Sequence, residues 1–278
     1  SVNPLRGRIL ITNLNEVEIT ELTIEDMNVQ IQGISLENQK TYVDFTATPI
    51  RYYDSYKIDS ISYLINGEEI KKNLNAKLDI QFFKDIYNYH DWQSIEIGTY
   101  QNYRLMGDID FSGRNDVKLD VTIGRLDGNN KKIKNLDINL DGRNSGLIYM
   151  LRNSMDNVIF ENISIINTVN TNYIGIIVKN TAEINNLKCT QISIEDKENI
   201  TGTGRGIIAL NDGEISNLIL DNITLKCIGS DKVGTVGENY NNEKKISNIN
   251  AKDIKCFGKS YVGSICGLRG NIIYANVD

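Results

Sequence analysis

Ile184-Asn-Asn-Leu-Lys-Cys-Thr-Gln-Ile-Ser-Ile194, Ile215-Ser-Asn-Leu-Ile-Leu-Asp-Asn-Ile-Thr-Leu225 and Ile246-Ser-Asn-Ile-Asn-Ala-Lys-Asp-Ile-Lys-Cys256 are three versions of one phrase. In each, apolar residues alternate, a polar corner intervenes, and the alternation resumes. Alternation with period two is the mark of a strand that buries one face. No amphipathic helical stretch separates the strands, so the phrase does not describe alternating strands and helices. Short strands joined by polar corners and repeated every thirty or so residues stack as a parallel β-helix, one coil per repeat, about 4.8 Å apart.

Two residue columns extend the pattern. Asparagine recurs before an aliphatic residue at Asn135, Asn157, Asn186, Asn217, Asn248 and Asn276, in steps of 22, 29, 31, 31 and 28 residues. Glycine recurs at Gly146, Gly175, Gly206, Gly234 and Gly263, followed two residues later by Ile148, Ile177, Ile208, Val236 and Ile265. Asparagine tolerates turn conformations, and its amide can both donate and accept along a stack. Glycine permits a positive φ or a close backbone approach. Both columns read as a structural ladder rather than as a ligand site, whose residues the sequence leaves unknown.

The rest of the chain has a different texture. Residues 1–78 hold short alternating runs at Arg8–Thr12, Glu18–Ile24, Val29–Ile34, Thr41–Thr46 and Asp59–Ile65, with Asn66-Gly67 as a two-residue hairpin signal. They suggest a small antiparallel β-sandwich of immunoglobulin-like type. Residues 79–130 form a transition and a first coil. Phe82-Phe83-Lys84-Asp85-Ile86-Tyr87 to Trp92-Gln93-Ser94-Ile95 spaces its apolar residues as in a short helix or two. Tyr87, Tyr89, Trp92, Tyr100 and Tyr103 crowd the same region. These rings read as a cover over the open end of the solenoid, in preference to a sugar-stacking platform. Residues 131–278 are the β-helix, expected to be right-handed and five or six coils long. Asn276-Val277 opens another repeat at the last residues, the expected signature of a segment cut mid-repeat from a longer protein.

Composition narrows the function. The 278 residues carry a net charge of −6 and a pI near 5.1, which argues against nucleic acid as a partner. No apolar run is long enough to span a bilayer, so membrane insertion is not expected of this segment. The four cysteines lack metal-site or disulfide-framework spacing, and Cys189 and Cys256 alternate with apolar neighbours as inward-facing thiols.

One stretch is worded like a known family. Asn102-Tyr-Arg-Leu-Met-Gly-Asp-Ile-Asp-Phe111, Ile123-Gly124 with Leu126-Asp-Gly-Asn-Asn-Lys-Lys-Ile-Lys-Asn-Leu136, and Gly146-Leu-Ile148 resemble the motifs of GLUG-repeat β-helices over roughly residues 80–278. The usual Phe-x-Gly-x before the Asp-Gly turn is absent, leaving only Arg125. Such modules occur in bacterial surface proteins, including adhesins and IgA-protease-like zinc metallopeptidases of Gram-positive bacteria. The resemblance implies an extracellular or cell-surface location.

Chemistry is scarce. The single histidine, His90, cannot build the zinc motif of those peptidases, and no metal or cofactor is expected. Two residues after the asparagines the chain reads Asp137, Ile159, Lys188, Ile219 and Asn250, so no acidic stripe of a polysaccharide-degrading β-helix appears in that column. Asp108 and Asp110 share a strand face and are expected to satisfy backbone donors at the first coil. Asp127-Gly128-Asn129-Asn130 reads as a turn. Gly202-Thr-Gly-Arg-Gly206 precedes a β-run and lacks the lysine of a phosphate loop. The expectation is a non-catalytic spacer and recognition surface for host glycoprotein, extracellular matrix or cell-wall glycan. Its contacts would fall on the variable turns Lys197–Arg205 and Gly237–Lys245. Alternatives are an accessory or exosite region of an IgA-protease-like zinc metallopeptidase, and a phage-tail or bacteriocin receptor-binding segment.

Overall fold

The computed structural model describes residues 4–11, 17–38, 40–241, 243–268 and 272–277. Thr12 of the first expected strand, Asn242 of the second variable turn and the terminal Asp278 lie outside them. The chain is nearly all β and divides into two compact units, residues 1–83 and 84–278.

The first unit is built from β1 (Leu5–Ile11), β2 (Glu18–Ile24), β3 (Met27–Glu37), β4 (Lys40–Pro49), β5 (Tyr56–Ile65) and β6 (Glu68–Leu78). Two three-stranded antiparallel sheets result, in the orders β1-β4-β3 and β2-β5-β6. Strand β4 shows why: Thr41, Val43, Phe45 and Ala47 are buried, while Lys40 and Thr48 face solvent. Phe45 and Ala47 share a core with Leu22, Ile24 and Tyr56 of the other sheet. The Asn66-Gly67 turn takes φ of 53° and 83° and pairs Ile65 with Glu68, as a two-residue hairpin requires.

The second unit is a parallel β-solenoid of about five coils. Coil 1 contains Val121–Asp127 and Lys132–Leu140, coil 2 Gly146–Asp156 and Ile159–Asn167, and coil 3 Tyr173–Asn180 and Glu183–Asp196. Coil 4 contains Gly202–Asn211 and Ile215–Lys226, and coil 5 Ser230–Val233, Val236–Asn239 and Ile246–Phe257. Tyr261–Val262, Cys266–Leu268 and Ile272–Val277 then pair onto coil 5. Every ladder is parallel; Val121–Asp127 meets coil 2 with two register shifts, and the later coils stack residue on residue, as in Leu187, Leu218, Ile249 and in Ile163, Ile192, Ile223, Ile254. The interior is a continuous stack of Ile, Leu and Val.

The segment before coil 1 departs from the helical reading. Lys84–Ile86 is a strand paired in parallel with Tyr103–Leu105, and only Tyr89–Gln93 is helical. Asn88 caps that helix through its Oδ1, which accepts from the His90 and Asp91 amides. The backbone of residues 84–86 finds its partners in the growing sheet, and that pairing overrides the helical spacing. Tyr89, Trp92 and Tyr103 are buried, Tyr100 is half-buried and Tyr87 is exposed. Tyr89 and Trp92 meet Phe111 edge-on, with ring centroids 6.0 Å away in each case. The Trp92 indole donates to the Lys118 carbonyl.

Candidate functional site

Register separates the asparagines into three columns. Asn157, Asn186, Asn217 and Asn248 follow one another, each with φ between 52° and 56°. Asn186 donates to Asn157 Oδ1 at 2.9 Å and Asn248 to Asn217 Oδ1 at 3.1 Å, while Asn217 reaches Asn185 instead. Asn135 belongs elsewhere. It sits beside Asn162, heading a second left-handed column that runs through Gln191, Asn222 and Asp253. This explains the short step of 22 residues. Asn276 pairs with Asn250, two positions beyond Asn248, so it too stands outside the first column.

A third column is buried. Asn180 donates to Asn211 Oδ1 and Asn211 to Asn239 Oδ1, both at 2.7 Å. The same side chains hold the corner backbone at Ala182 and Gly213. Each of these asparagines lies five residues after a glycine of the column (Gly175, Gly206, Gly234), which is the signal in the sequence that marks them.

The glycines are required by proximity. A Cβ on Gly146, Gly175, Gly206 or Gly234 would overlap the carbonyl oxygen of the column glycine one coil on, at Gly175, Gly206, Gly234 and Gly263 respectively. The aliphatic residues beside them stack as Ile148, Ile177, Ile208 and Val236, but Cys266 rather than Ile265 completes the register.

The carboxylates singled out in the sequence are engaged. Asp108 accepts from the Lys132 amide and Lys134 Nζ, both at 3.0 Å. Burial pushes its carboxyl up, but these donors outweigh it and hold it below the usual range. Asp110 accepts from the Ser112 hydroxyl, the Asn135 amide and the Ser112 backbone, which lower it to about 2. Asp127 accepts from the Asn129 amide within its turn and from Arg104 Nε on the neighbouring strand. Glu183 and Glu214 precede register-matched Ile184 and Ile215, so these two exposed acids are stacked one coil apart, with Lys245 next in line.

Arg205, in the glycine-rich 202–206 stretch, is wholly buried with Asp196. Its Nε donates to both Asp196 oxygens at 2.9 and 3.0 Å, and its terminal nitrogens donate to the carbonyls of Thr171, Asn172 and Gly204. Asp196 also accepts from Asn167 and Ser230. The thiols of Cys189 and Cys227 are buried, and desolvation pushes Cys227 up to about 12. Among the described residues no group of three His, Cys, Asp or Glu side chains is placed to hold a metal ion, and no helix is long and apolar enough to cross a membrane.

A concavity of about 670 Å³ lies over coils 2 to 5. Tyr149, Asn170–Tyr173, Val178, Lys179 and Thr201–Thr203 line it, so part of the first variable turn is in its wall. Its size is that of a small-ligand site. Tyr149, Val178, Ala209 and Gly237 stand in one column, so side-chain bulk along it falls coil by coil. Tyr173 is fixed at the far tip, where its hydroxyl donates to Glu238 Oε2 at 3.2 Å. Burial and then the Glu238 charge push its pKa up. Glu238 in turn pairs with Lys232 at 2.7 Å. The Lys179 ammonium lies 5.4 Å from the centroid of the Tyr149 ring and has no carboxylate partner among the described residues. Asp231, at the rim, is taken by Ser260 and Lys259. Beneath the wall, the Thr171 hydroxyl is shielded and makes no hydrogen bond to the described residues. No local pattern announces this assembly, because its residues come from four successive coils. Tyr149 and Tyr173 do flank the glycine column, three residues after Gly146 and two before Gly175.

No protein-family profile matches the chain, and neither a curated protein nor a solved structure is significantly similar to it.

Proposed function

We propose that the chain is a non-catalytic segment of a larger bacterial secreted or cell-surface protein of the GLUG-repeat kind. It acts as a rigid right-handed β-helical spacer that presents a recognition surface to host glycoprotein, extracellular matrix or cell-wall glycan. The supporting observation is the groove over coils 2 to 5: rings, amides and hydroxyls with one unpaired ammonium, on a wall of in-register strands. Ligand sites placed on rigid elements hold their geometry without an ordering cost on binding. The engagement of Asp108, Asp110 and Asp127 in local hydrogen bonds favours structural over acid-base roles for them. In the same reading residues 1–78 are an immunoglobulin-like sandwich and the rings around Trp92 cover the first coil.

Two assays test this. The whole chain, labelled and applied to an array of glycans and matrix proteins, is expected to bind a subset of spots. A blank array leaves no recognition role. Incubation with casein or IgA is expected to leave both intact, and chelator-sensitive cleavage would overturn the non-catalytic assignment.

A further inference from the structure

We infer that the groove of Tyr149, Tyr173 and Lys179 takes a carboxylated saccharide, with Lys179 as the counter-ion of the sugar acid. The inference rests on the recognition reading above and narrows it to one ligand class. Three features carry it. First, the lining is neutral and polar apart from its charged groups. Asn170 and Asn172 supply amides and Thr201 and Thr203 hydroxyls, the donors and acceptors that match vicinal sugar hydroxyls. Asn170 already accepts from the Thr201 amide at 2.8 Å, which fixes its orientation and leaves its NH₂ as the donor.

Second, two tyrosine rings border the space, and one is immobilised by its hydrogen bond to Glu238. A ring held in place offers an apolar face to the C–H side of a pyranose at little entropic cost. Third, the charges are unequal. Asp231 is occupied by Ser260 and Lys259, whereas Lys179 is half-buried and, among the described residues, has only the Tyr149 ring. An ammonium in a partly enclosed site with no counter-ion attracts a carboxylate more strongly than the same group on an open surface. A neutral sugar would leave that charge unanswered.

The test is calorimetric titration of the whole chain with 3′-sialyllactose, a trigalacturonate and neutral lactose. Binding of an acidic sugar at least tenfold tighter than lactose is expected, and the stronger of the two acidic probes identifies a sialic acid or a uronate source. Lys179→Met is expected to abolish that preference, and Lys179→Arg to retain it. Lys179 is partly exposed, so Lys179→Met should match the parent in circular dichroism and melting temperature. Equal affinity for lactose and the acidic sugars, or an acidic preference unchanged in Lys179→Met, overturns the acid assignment but keeps saccharide recognition. No heat with any of the three overturns the acid assignment as well; a positive array of matrix proteins beside it would still sustain the recognition role.

Discussion

The side-chain amide of Asn180 donates to Oδ1 of Asn211 one coil away, at 2.7 Å, with both residues sealed from solvent. Asn211 passes the same bond to Asn239 and also binds the Gly213 carbonyl. Replacing Asn211 with Ala strands a buried donor on Asn180 and a buried carbonyl at residue 213. The expected loss is about 2–3 kcal/mol by urea denaturation. Asn217 stands in the exposed column with φ of 55°, so Asn217→Gly keeps the backbone conformation and should cost under about 1 kcal/mol. Equal losses at the two sites would contradict the assignment of separate ladders.

Gly206→Ala is expected to be severe. Its Cβ would run into the Gly234 carbonyl, a backbone atom that cannot rotate away. Overpacking of this kind costs on the order of 3 kcal/mol, against near neutrality for Gly33→Ala, where space is open. Melting temperatures of the two variants check the contrast, and an unshifted Gly206→Ala defeats the close-approach account.

Asp110 gives an acid-side dependence with a definite sign. Its folded pKa, about 2, lies below the ordinary 3.8, so it stabilises the fold above pH 4 and the contribution fades as pH falls toward 2. The carboxylate is nearly half exposed, so solvent screening keeps the effect small. Urea midpoints between pH 5 and 2 should fall less steeply for Asp110→Asn than for the parent chain. Parallel curves would remove Asp110 as a contributor.

Arg205 and Asp196 form a pair with side chains 0% and 1% exposed. Removing Arg205 alone, as Arg205→Met, leaves a buried carboxylate held by Asn167 and Ser230 without its cation, and about 3–5 kcal/mol of stability should be lost. Removing both charges, as Arg205→Met with Asp196→Leu, is expected to recover part of that loss. A double variant weaker than the sum of the singles would show that packing, not charge, dominates the site.

Buried thiols should be slow. Desolvation raises Cys189 and, to about 12, Cys227, so neither presents a thiolate at pH 8. Both are expected to react with a disulfide reagent only when urea opens the solenoid. Rapid labelling of either in native buffer is the contrary result.

The solenoid was legible because its period recurs in Ile184, Ile215 and Ile246 and in the glycines, which face one environment in every coil. The asparagines were harder. Two columns demand a left-handed residue a few positions apart on each coil, so Asn135 and Asn157 look alike in sequence while serving different stacks. The helical spacing around Phe82–Tyr87 misled because pairing between Lys84 and Tyr103 is a long-range choice that local periodicity does not encode. The groove was out of reach for the same reason. Tyr149 and Lys179 are thirty residues apart and become neighbours only through register.

Asp196 joins four consecutive coils through Asn167, Arg205, Ser230 and its own strand. Repeat proteins lose terminal repeats one at a time when each touches only its neighbours. Here, fraying from residue 277 inward meets a carboxylate that releases nothing until several coils part together. Peeling should therefore halt in coil 5. A steady pull on the far end should yield one large extension event past that point, not a staircase of single coils.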